Sequence, residues 1–319
     1  MSGRTVITGA SGMIGVALAR QCTAAGEEVL AICHRNSAKN RVLRELSDVK
    51  VMEADLSEYA GLAGERWEKK YDTFYHLAWA GTTGPARNDM ILQTDNIQYT
   101  LDAVLLAESM GCRTFVGTGS QAEYGRHREA LRPQTPAFPE TGYGMAKLCA
   151  GQMSRYSCGQ KGIKHIWARV LSVYGPYGSQ DMITVAVQKL LRGEHVSLTA
   201  GEQIWDYVYS EDAAAALRLM AERGISGKTY VMAGGQARPL KEYLEVLYRV
   251  TCEEMADRGR RVGTIGIGDL PYQAGQLMNL MGDSTELFGD TGFSAQYSFE
   301  EGVREMLSHA ADGEQAGWC

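Results

Sequence analysis

The sequence predicts an α/β fold built on a doubly wound parallel sheet with helices on both faces. Short apolar runs rich in β-branched residues alternate with segments of helical periodicity through the first half of the chain. The length of 319 residues favours about two domains. We expect a first domain over residues 1–171 and a smaller, mostly C-terminal α/β domain over residues 172–319, some segments of which return to the sheet.

The turn after the first predicted strand has the glycine spacing of a dinucleotide-binding loop of the Rossmann type. Residues 5–8 form a β-branched run that ends at Gly9, and Gly12 and Gly15 follow in the pattern G-x-x-G-x-x-G. Gly12 lets the backbone approach a pyrophosphate, and the N-terminus of the next helix directs free N–H groups at it. An ordinary glycine-rich loop is the alternative, but the position straight after a strand favours the dinucleotide site. The other residues expected to line this loop are Ser11, Met13 and Ile14.

The end of the second predicted strand, residues 28–33, bears on the choice between NAD and NADP. An NAD site usually has an acidic residue there to bind the ribose 2′-hydroxyl, whereas this chain has Arg35 and Ser37 in the following loop. These side chains could bind a 2′-phosphate, so NADP is the preferred cofactor and NAD the other possibility. The alternative is that Arg35 is an ordinary solvated surface charge. Asp55, after the third predicted strand, could accept a hydrogen bond from the adenine amino group or cap the next helix.

Several candidate residues lie at the carboxyl ends of predicted strands. Thr8, Asp55, Ala78 and Ser120 each end or follow such a run. Ligands of open parallel sheets bind beyond those ends, so these residues should converge on one site. His76, inside the fourth run, is expected to be a structural histidine and not a catalytic one.

Tyr143 and Lys147 stand four residues apart in a predicted helix, so both side chains lie on one face and can reach a shared ligand. An ammonium group beside a phenol lowers the tyrosine pKa, which prepares the phenol for proton transfer. The pattern Y-x-x-x-K is common by chance. Its weight here comes from Ser120, a hydroxyl residue at a strand end upstream, and from the glycine loop near the N-terminus.

Composition and charge exclude several classes of function. The formal net charge is −6 and the pI is about 5.6, so nucleic acid is not an expected partner. The seven cysteines show no metal-ligand spacing with histidine, so no metal site is expected and a reducing compartment is favoured. The chain enters its first predicted strand directly and has no apolar run of membrane-spanning length, which predicts a cytoplasmic protein without a membrane partner.

The ordered motifs together make the chain similar to the extended short-chain dehydrogenases/reductases that act on nucleotide-activated sugars. The motifs cover nearly the whole chain: the glycine loop with Thr8, Asp55-Leu56, His76-Leu77-Ala78, Asn96, Ser120 four residues before Tyr124-Gly125, Tyr143-x-x-x-Lys147, residues 168–176 and residues 205–212. The resemblance implies cofactor contacts from Leu56, Leu77, Ala78, Trp79 and Asn96, together with Tyr143 and Lys147.

The resemblance also implies a role for each of three residues. Tyr143 would act as general acid/base, Lys147 would hold the tyrosine and the nicotinamide ribose, and Ser120 would hydrogen-bond the reacting sugar oxygen. A carbonyl that becomes an alkoxide needs donors aimed at its oxygen, which these residue types provide. A nucleotide-diphosphate sugar is therefore the expected substrate.

Two departures from the family pattern narrow the reaction. Gln121 and Ala122 stand where the family's 4,6-dehydratases have an acid pair, so dehydration is not expected. Trp205 replaces an arginine that commonly contacts the nucleotide phosphates. Residues expected at the substrate site are Gln121 and Trp205, with Arg169, Arg192 and Arg238 as candidate substitutes for the missing arginine.

The leading expectation is an NADP-dependent reductase of a nucleotide-linked 4-keto-6-deoxy sugar. Residues 120–125 and 205–212 resemble segments of synthases of CDP-linked dideoxyhexoses such as abequose, and Arg35 agrees with net reduction by NADPH. The alternative is an epimerase that retains its NAD, because the chemical groups are the same. A remote alternative is a cofactor-sensing binding protein without turnover, against which the presence of both Tyr143 and Lys147 counts.

The family commonly forms homodimers, in which the tyrosine helix and the helix before Ser120 build a four-helix bundle. Leu101, Val104 and Leu105 would allow such a homodimer here, although burial in the core explains these residues equally well.

Overall fold

Strands and helices alternate from the start of the chain in the computed structural model, which describes residues 3–178 and 180–311. The strands of these residues are β1 (Arg4–Thr8), β2 (Glu28–Cys33), β3 (Val49–Glu53), β4 (Thr73–His76), β5 (Thr114–Ser120), β6 (Lys164–Val170), β7 (Ser172–Tyr174), β8 (His195–Leu198), β9 (Ile204–Trp205), β10 (Tyr207–Tyr209), β11 (Thr229–Met232), β12 (Arg238–Pro239), β13 (Thr264–Ile267) and β14 (Asn279–Leu280). The α-helices are α1 (Met13–Ala24), α2 (Asn40–Arg44), α3 (Tyr59–Ala63), α4 (Met90–Ser109), α5 (Gly142–Gln160), α6 (Met182–Leu191), α7 (Ser210–Arg223), α8 (Leu240–Asp257), α9 (Thr285–Thr291) and α10 (Phe299–Ala311). Short 3₁₀ turns lie at Leu56–Glu58, Gly84–Asn88 and Gln121–Glu123.

Seven of these strands form one parallel sheet in the order β11-β6-β5-β4-β1-β2-β3. The chain proceeds outward from β1 through β2 to β3, then returns to β4 on the other side of β1. The strand order therefore reverses between β1 and β4, where the carboxyl ends of a doubly wound sheet leave a crevice for a ligand. The predicted fold class, a doubly wound parallel sheet of Rossmann type, is confirmed.

Both faces of the large sheet are buried by helices. Ile7 and Ala31 belong to an apolar core that α1 and α7 complete on one face, whereas Val6 and Leu30 belong to a second core that α4 completes on the other. The alternation follows from strand geometry, in which successive side chains point to opposite faces. Burial on both faces explains why the strand sequences are almost continuously apolar.

Among the described residues, the second half of the chain adds three small sheets and contributes to further apolar cores. β7 pairs with β10, β8 pairs with β13, and β9 lies between β12 and β14. A third apolar core joins α6, α8 and α10 through side chains that include Val187, Leu247 and Val303. β11 lies beside β6 in the large sheet, so the second half also contributes to the first layer. A domain boundary at residue 171 stays a prediction.

Three features of the described residues concern location and metal binding. None of their helices combines the length and apolar composition needed to cross a membrane. Their six cysteines are unpaired, and Cys22, Cys33, Cys112 and Cys158 are buried as small apolar residues would be. No group of three His, Cys, Asp or Glu side chains among the described residues is arranged to hold a metal ion.

Candidate active site

A cleft of about 410 Å³ opens at the carboxyl ends of β1, β4 and β5. It brings together the glycine loop and the three residues to which the sequence assigns chemistry. Its lining consists of Gly9, Gly12, Met13, Ile14, Gly15, Leu77, Trp79, Thr82, Thr118, Gly119, Ser120, Tyr143, Lys147, Val170, Leu171 and Val173. The cleft lies where the reversed strand order leaves a crevice.

The glycine loop has the backbone geometry of a phosphate cradle. Gly9 has a φ of +66°, and a Cβ there would lie 2.8 Å from the amide nitrogen of Ala78, so the turn needs glycine. Gly12 caps α1 without a side chain, and the first turn of α1 contains no acidic residue. Its N–H groups and the positive end of the helix dipole are therefore open to an anion, with Ser11 in the same turn. These residues fit the pyrophosphate of a dinucleotide.

The predicted NADP contact, Arg35, is paired with an acid. Its Nε donates to Oε2 of Glu58 at 2.9 Å, and its Nη2 contacts the other carboxylate oxygen. This partner lowers the pKa of Glu58 to about 2. Glu58 also accepts from the backbone N–H of Asp55 at 2.7 Å, so Asp55 stands at a capping box before the turn Leu56–Glu58. The carbonyl of Ser37 accepts from a backbone amide in the same loop. A 2′-phosphate would thus compete with Glu58 for Arg35.

Two predicted cofactor residues support the loop after β4. Asn96, buried on α4, accepts from the backbone N–H of Ala80 at 2.9 Å and donates to its carbonyl at 3.0 Å. Ala78 lies directly against Gly9, and its N–H points toward the hydroxyl of Thr8 at 3.4 Å. These contacts fix the segment from which Trp79 enters the cleft.

His76 is buried, and its ring nitrogens contact the hydroxyls of Thr8 and Thr100, neither of which lines the cleft. Its Nδ1 lies 2.9 Å from the hydroxyl of Thr8, and burial lowers its pKa to about 3. A neutral imidazole held between strands serves the structure, as the sequence predicts.

Tyr143 and Lys147 enter the cleft from the first turns of α5. The side chain of Thr141 caps this helix by accepting from the N–H of Gly144 at 3.1 Å. Lys147 is almost completely buried; its Nζ donates to the carbonyl of Thr118 at 2.7 Å and lies 3.8 Å from the centre of the Trp79 ring. Burial lowers the pKa of Lys147 to about 7.

The pKa of Tyr143 is raised by burial, and a hydrogen bond with the hydroxyl of Ser120 only partly offsets this effect. Lys147 Nζ lies 5.9 Å from the centre of the tyrosine ring and is hydrogen-bonded to Thr118. Lys147 is not among the groups that shift the pKa of Tyr143 here, so the expectation that it lowers this pKa stays a prediction. The cation that does lower it is Arg87, whose Cζ lies 4.4 Å from the ring centre.

Ser120 is held by a buried carboxylate that the sequence analysis did not identify. Oε1 of Glu123, a fully buried residue, accepts from the N–H of Ser120 at 2.9 Å and from Nε1 of Trp167 at 3.0 Å. Oε2 accepts from Nε of Arg169 at 2.6 Å. Three donors thus compensate one buried charge, as burial requires. The signal in the sequence is an acidic residue three positions after the end of an apolar strand.

This network bears on the prediction for Arg169 and counts against it. The arginine was a candidate ligand for the nucleotide phosphates, but its side chain is 6% exposed and is committed to Glu123. Its Cζ also lies 4.3 Å from the centre of the Tyr124 ring. Binding an external anion would draw the guanidinium of Arg169 away from Glu123. This is unfavourable, because the carboxylate of Glu123 would then be buried without its ion-pair partner.

The remaining substrate candidates occupy different places. Arg192 ends α6 and forms an exposed ion pair with Glu194 at 2.7 Å. Arg238 lies opposite Trp205 in the β9–β12 pair, with its Cζ 4.1 Å from the centre of the Tyr243 ring. Nε1 of Trp205 donates to the hydroxyl of Ser172 at 2.8 Å, and Ser172 lies between the cleft residues Leu171 and Val173. Gln121 begins the 3₁₀ turn beside Ser120.

The fold and the cleft define a protein of the extended short-chain dehydrogenase/reductase class. The family profile described as "NAD dependent epimerase/dehydratase family" matches residues 5–233. The chain belongs to this family.

Individual relatives are distant, and some of them match over nearly the whole length of both chains. The dTDP-glucose 4,6-dehydratase of Escherichia coli is 24% identical, and the alignment covers 98% of each chain. The UDP-N-acetylglucosamine 4-epimerase of Methanobrevibacter ruminantium, solved with UDP-N-acetylmuramic acid, has a TM-score of 0.83 at 20% identity and covers 98% of this chain and 99% of its own. The UDP-glucuronic acid 4-epimerase of Bacillus cereus, solved with UDP-glucuronic acid and NAD, has a TM-score of 0.80 at 18% identity and covers 97% and 99%. At these identities the solved structures share the fold.

Proposed function

We propose that this protein transfers a hydride between a nicotinamide cofactor and a carbon of a nucleotide-activated sugar. The observation that carries the proposal is the convergence of Ser120, Tyr143 and Lys147 on one cleft that also contains the glycine loop. Membership of the NAD dependent epimerase/dehydratase family supports it.

The chain's own residues would divide the work as follows. The nicotinamide, when bound, supplies or accepts the hydride. Ser120 and Tyr143 would hold the sugar oxygen by hydrogen bonds, and the phenol would give or take the proton as that oxygen changes between carbonyl and alcohol. Lys147 would hold the cofactor end of the site, since its ammonium lies beside Trp79 at the cleft wall. The apolar walls, formed in part by Leu77 and Val170, would exclude water from the reacting carbon.

Reduction of a 4-keto-6-deoxy sugar with NADPH is the first candidate reaction, and it depends on Arg35 binding a 2′-phosphate. Epimerisation with retained NAD is the second, and the ion pair between Arg35 and Glu58 favours it. Solved proteins of the same fold bind NAD. Dehydration lacks its acid pair at Gln121 and Ala122, but dehydratases are among the relatives, so the assay must separate all three reactions.

One assay distinguishes these reactions. The protein is incubated with UDP-, dTDP- and CDP-hexoses and their 4-keto-6-deoxy derivatives, alone or with NADH or NADPH, while reduced nicotinamide is followed by absorbance and products by NMR. A reductase consumes reduced cofactor and forms an alcohol. An epimerase inverts one centre without a net absorbance change, and a dehydratase forms a 4-keto-6-deoxy product. Absence of any conversion with every sugar, while cofactor binds, would favour the cofactor-sensing alternative.

We also propose that the protein is a homodimer formed through α4 and α5. The outer surface of these helices carries a groove of about 660 Å³ whose apolar lining includes Leu101, Leu105, Met153 and Tyr156. Tyr156 is 72% exposed in the single chain, whereas Val104 is fully buried and therefore belongs to the core. Light scattering should give twice the chain mass, and the variant Leu105→Glu with Tyr156→Glu should give the mass of one chain. An unchanged mass in that variant would place the interface elsewhere.

A further inference from the structure

We propose that Arg87 supplies the permanent positive charge that stabilises the ionised phenol of Tyr143. Arg87 would be a positioning residue that acts through the tyrosine. This inference rests on the proposed function in one respect, since it concerns Tyr143, the residue proposed as acid/base.

The guanidinium of Arg87 lies against the tyrosine ring. Its Cζ is 4.4 Å from the ring centre, a distance typical of a cation over an aromatic face. Nη1 donates to the carbonyl of Thr82 at 2.9 Å, and Thr82 lines the cleft. Both of these partners are uncharged, so the contacts leave the charge of the guanidinium available to the phenol.

The turn that carries Arg87 is tied to the tyrosine helix. In the turn Gly84–Asn88, the side chain of Asn88 accepts from the N–H of Gly142 at 3.1 Å, at the start of α5. Gln93 of α4 donates to the carbonyl of Ala86 at 2.9 Å and to that of Gly81 at 2.9 Å. The turn is thus fastened to two helices, which keeps the guanidinium over the ring.

Lys147 lies farther from the tyrosine ring than Arg87 does. Its Nζ donates to the carbonyl of Thr118 at 2.7 Å, lies 3.8 Å from the centre of the Trp79 ring and is 5.9 Å from the centre of the Tyr143 ring. An arginine side chain stays protonated throughout the working range. Arg87 is therefore a cation that remains charged beside the phenol.

Each element packed against Tyr143 contributes one group to its electrostatic balance. Ser120, from β5, hydrogen-bonds the phenol, and Trp79, from the loop after β4, meets the ring edge-on at 6.0 Å. Glu123 opposes ionisation from the turn after β5, although Arg169 compensates it. The α5 helix itself contributes Lys147. Burial raises the pKa of Tyr143, and the charge of Arg87 lowers it.

The test is a spectrophotometric titration of the phenol in the whole chain without substrate. Subtracting the titration of Tyr143→Phe isolates one tyrosine among sixteen. Arg87→Gln keeps a donor for Thr82 but removes the charge, and it should raise the pKa of Tyr143 by about one unit. Arg87→Lys keeps a charge and should retain most of the effect. Arg113→Met removes an exposed arginine that pairs with Asp72, and it should leave the titration unchanged.

The outcomes separate this inference from the proposed function. An unchanged pKa of Tyr143 in Arg87→Gln, or an equal shift in Arg113→Met, overturns the role of Arg87 even if Tyr143→Phe abolishes turnover. If Arg87→Gln shifts the pKa of Tyr143 but Tyr143→Phe retains full turnover, the proposed function is overturned. The electrostatic role of Arg87 is then still supported. If the inference and the proposed function are both correct, the pKa of Tyr143 in the pH–rate profile should rise in Arg87→Gln by as much as it rises in the titration.

Discussion

Replacing Glu123 by glutamine tests whether the buried ion pair beneath Ser120 holds the site together. The carboxylate is fully buried and Arg169 is 6% exposed, so water cannot compensate either charge. Glutamine keeps one acceptor oxygen, but its amide group must face one of the donors from Ser120, Trp167 or Arg169. Removing one partner of a buried pair costs about 3–5 kcal/mol. Since one acceptor survives, we expect a loss of about 3 kcal/mol in the free energy of unfolding.

Urea unfolding measures this loss, and a double-mutant cycle assigns it to the pair. Arg169→Met in the Glu123→Gln background removes the uncompensated cation, so the double variant should be more stable than the sum of the single changes predicts, by at least about 1 kcal/mol. The matched control is Arg113→Met, which breaks an ion pair in which Arg113 is 83% exposed and should leave stability nearly unchanged. Strictly additive effects, or a loss no larger than in the control, would refute the reasoning.

Three further predictions concern the cleft. Tyr143→Phe should lose most turnover but keep its cofactor affinity, measured by fluorescence titration, because the phenol moves a proton and the glycine loop holds the cofactor. Lys147→Met should stabilise the fold near pH 6 and lose this advantage toward pH 10. The native pKa of Lys147, about 7, lies below the ordinary 10.5, so the cost of burying this group is fully present below pH 7 and fades as the pH rises from 7 to 10.5. Urea unfolding at several pH values measures this difference. Arg35→Ser should raise the KM for NADPH at least about tenfold more than that for NADH if Arg35 binds a 2′-phosphate, and equal changes would assign Arg35 to its ion pair with Glu58.

The large sheet could be predicted because its strands are apolar on both faces and are separated by periodic helices. The small sheets could not: β9 and β12 contain two residues each, too few to show any alternation. Their pairing depends on contacts between Trp205 and Arg238, which are far apart in the chain. Sequence periodicity carries no information about such contacts.

The same limit applies to the site. The glycine loop, Ser120, Tyr143 and Lys147 could be predicted because each belongs to a local motif, and all of them line one cleft. Arg169 and Arg238 looked equivalent in the sequence. The partner of Arg169 lies 46 residues away and is brought near only by the register of β5 and β6, in which Gly119 stands opposite Arg169. Arg87 belongs to no motif, and its position depends on how one turn docks onto α5.

Trp167 has a consequence for the width of the site. Its indole fills the space between β5 and α5, where Cβ atoms at Gly117, Gly119 and Gly151 would collide with it. One aromatic ring therefore acts as a spacer between the strand that carries Ser120 and the helix that carries Tyr143. A smaller side chain at position 167 would allow this strand and this helix to pack more closely. The distance between the hydroxyl of Ser120 and the phenol of Tyr143 would then change, although every group that contacts the sugar is retained.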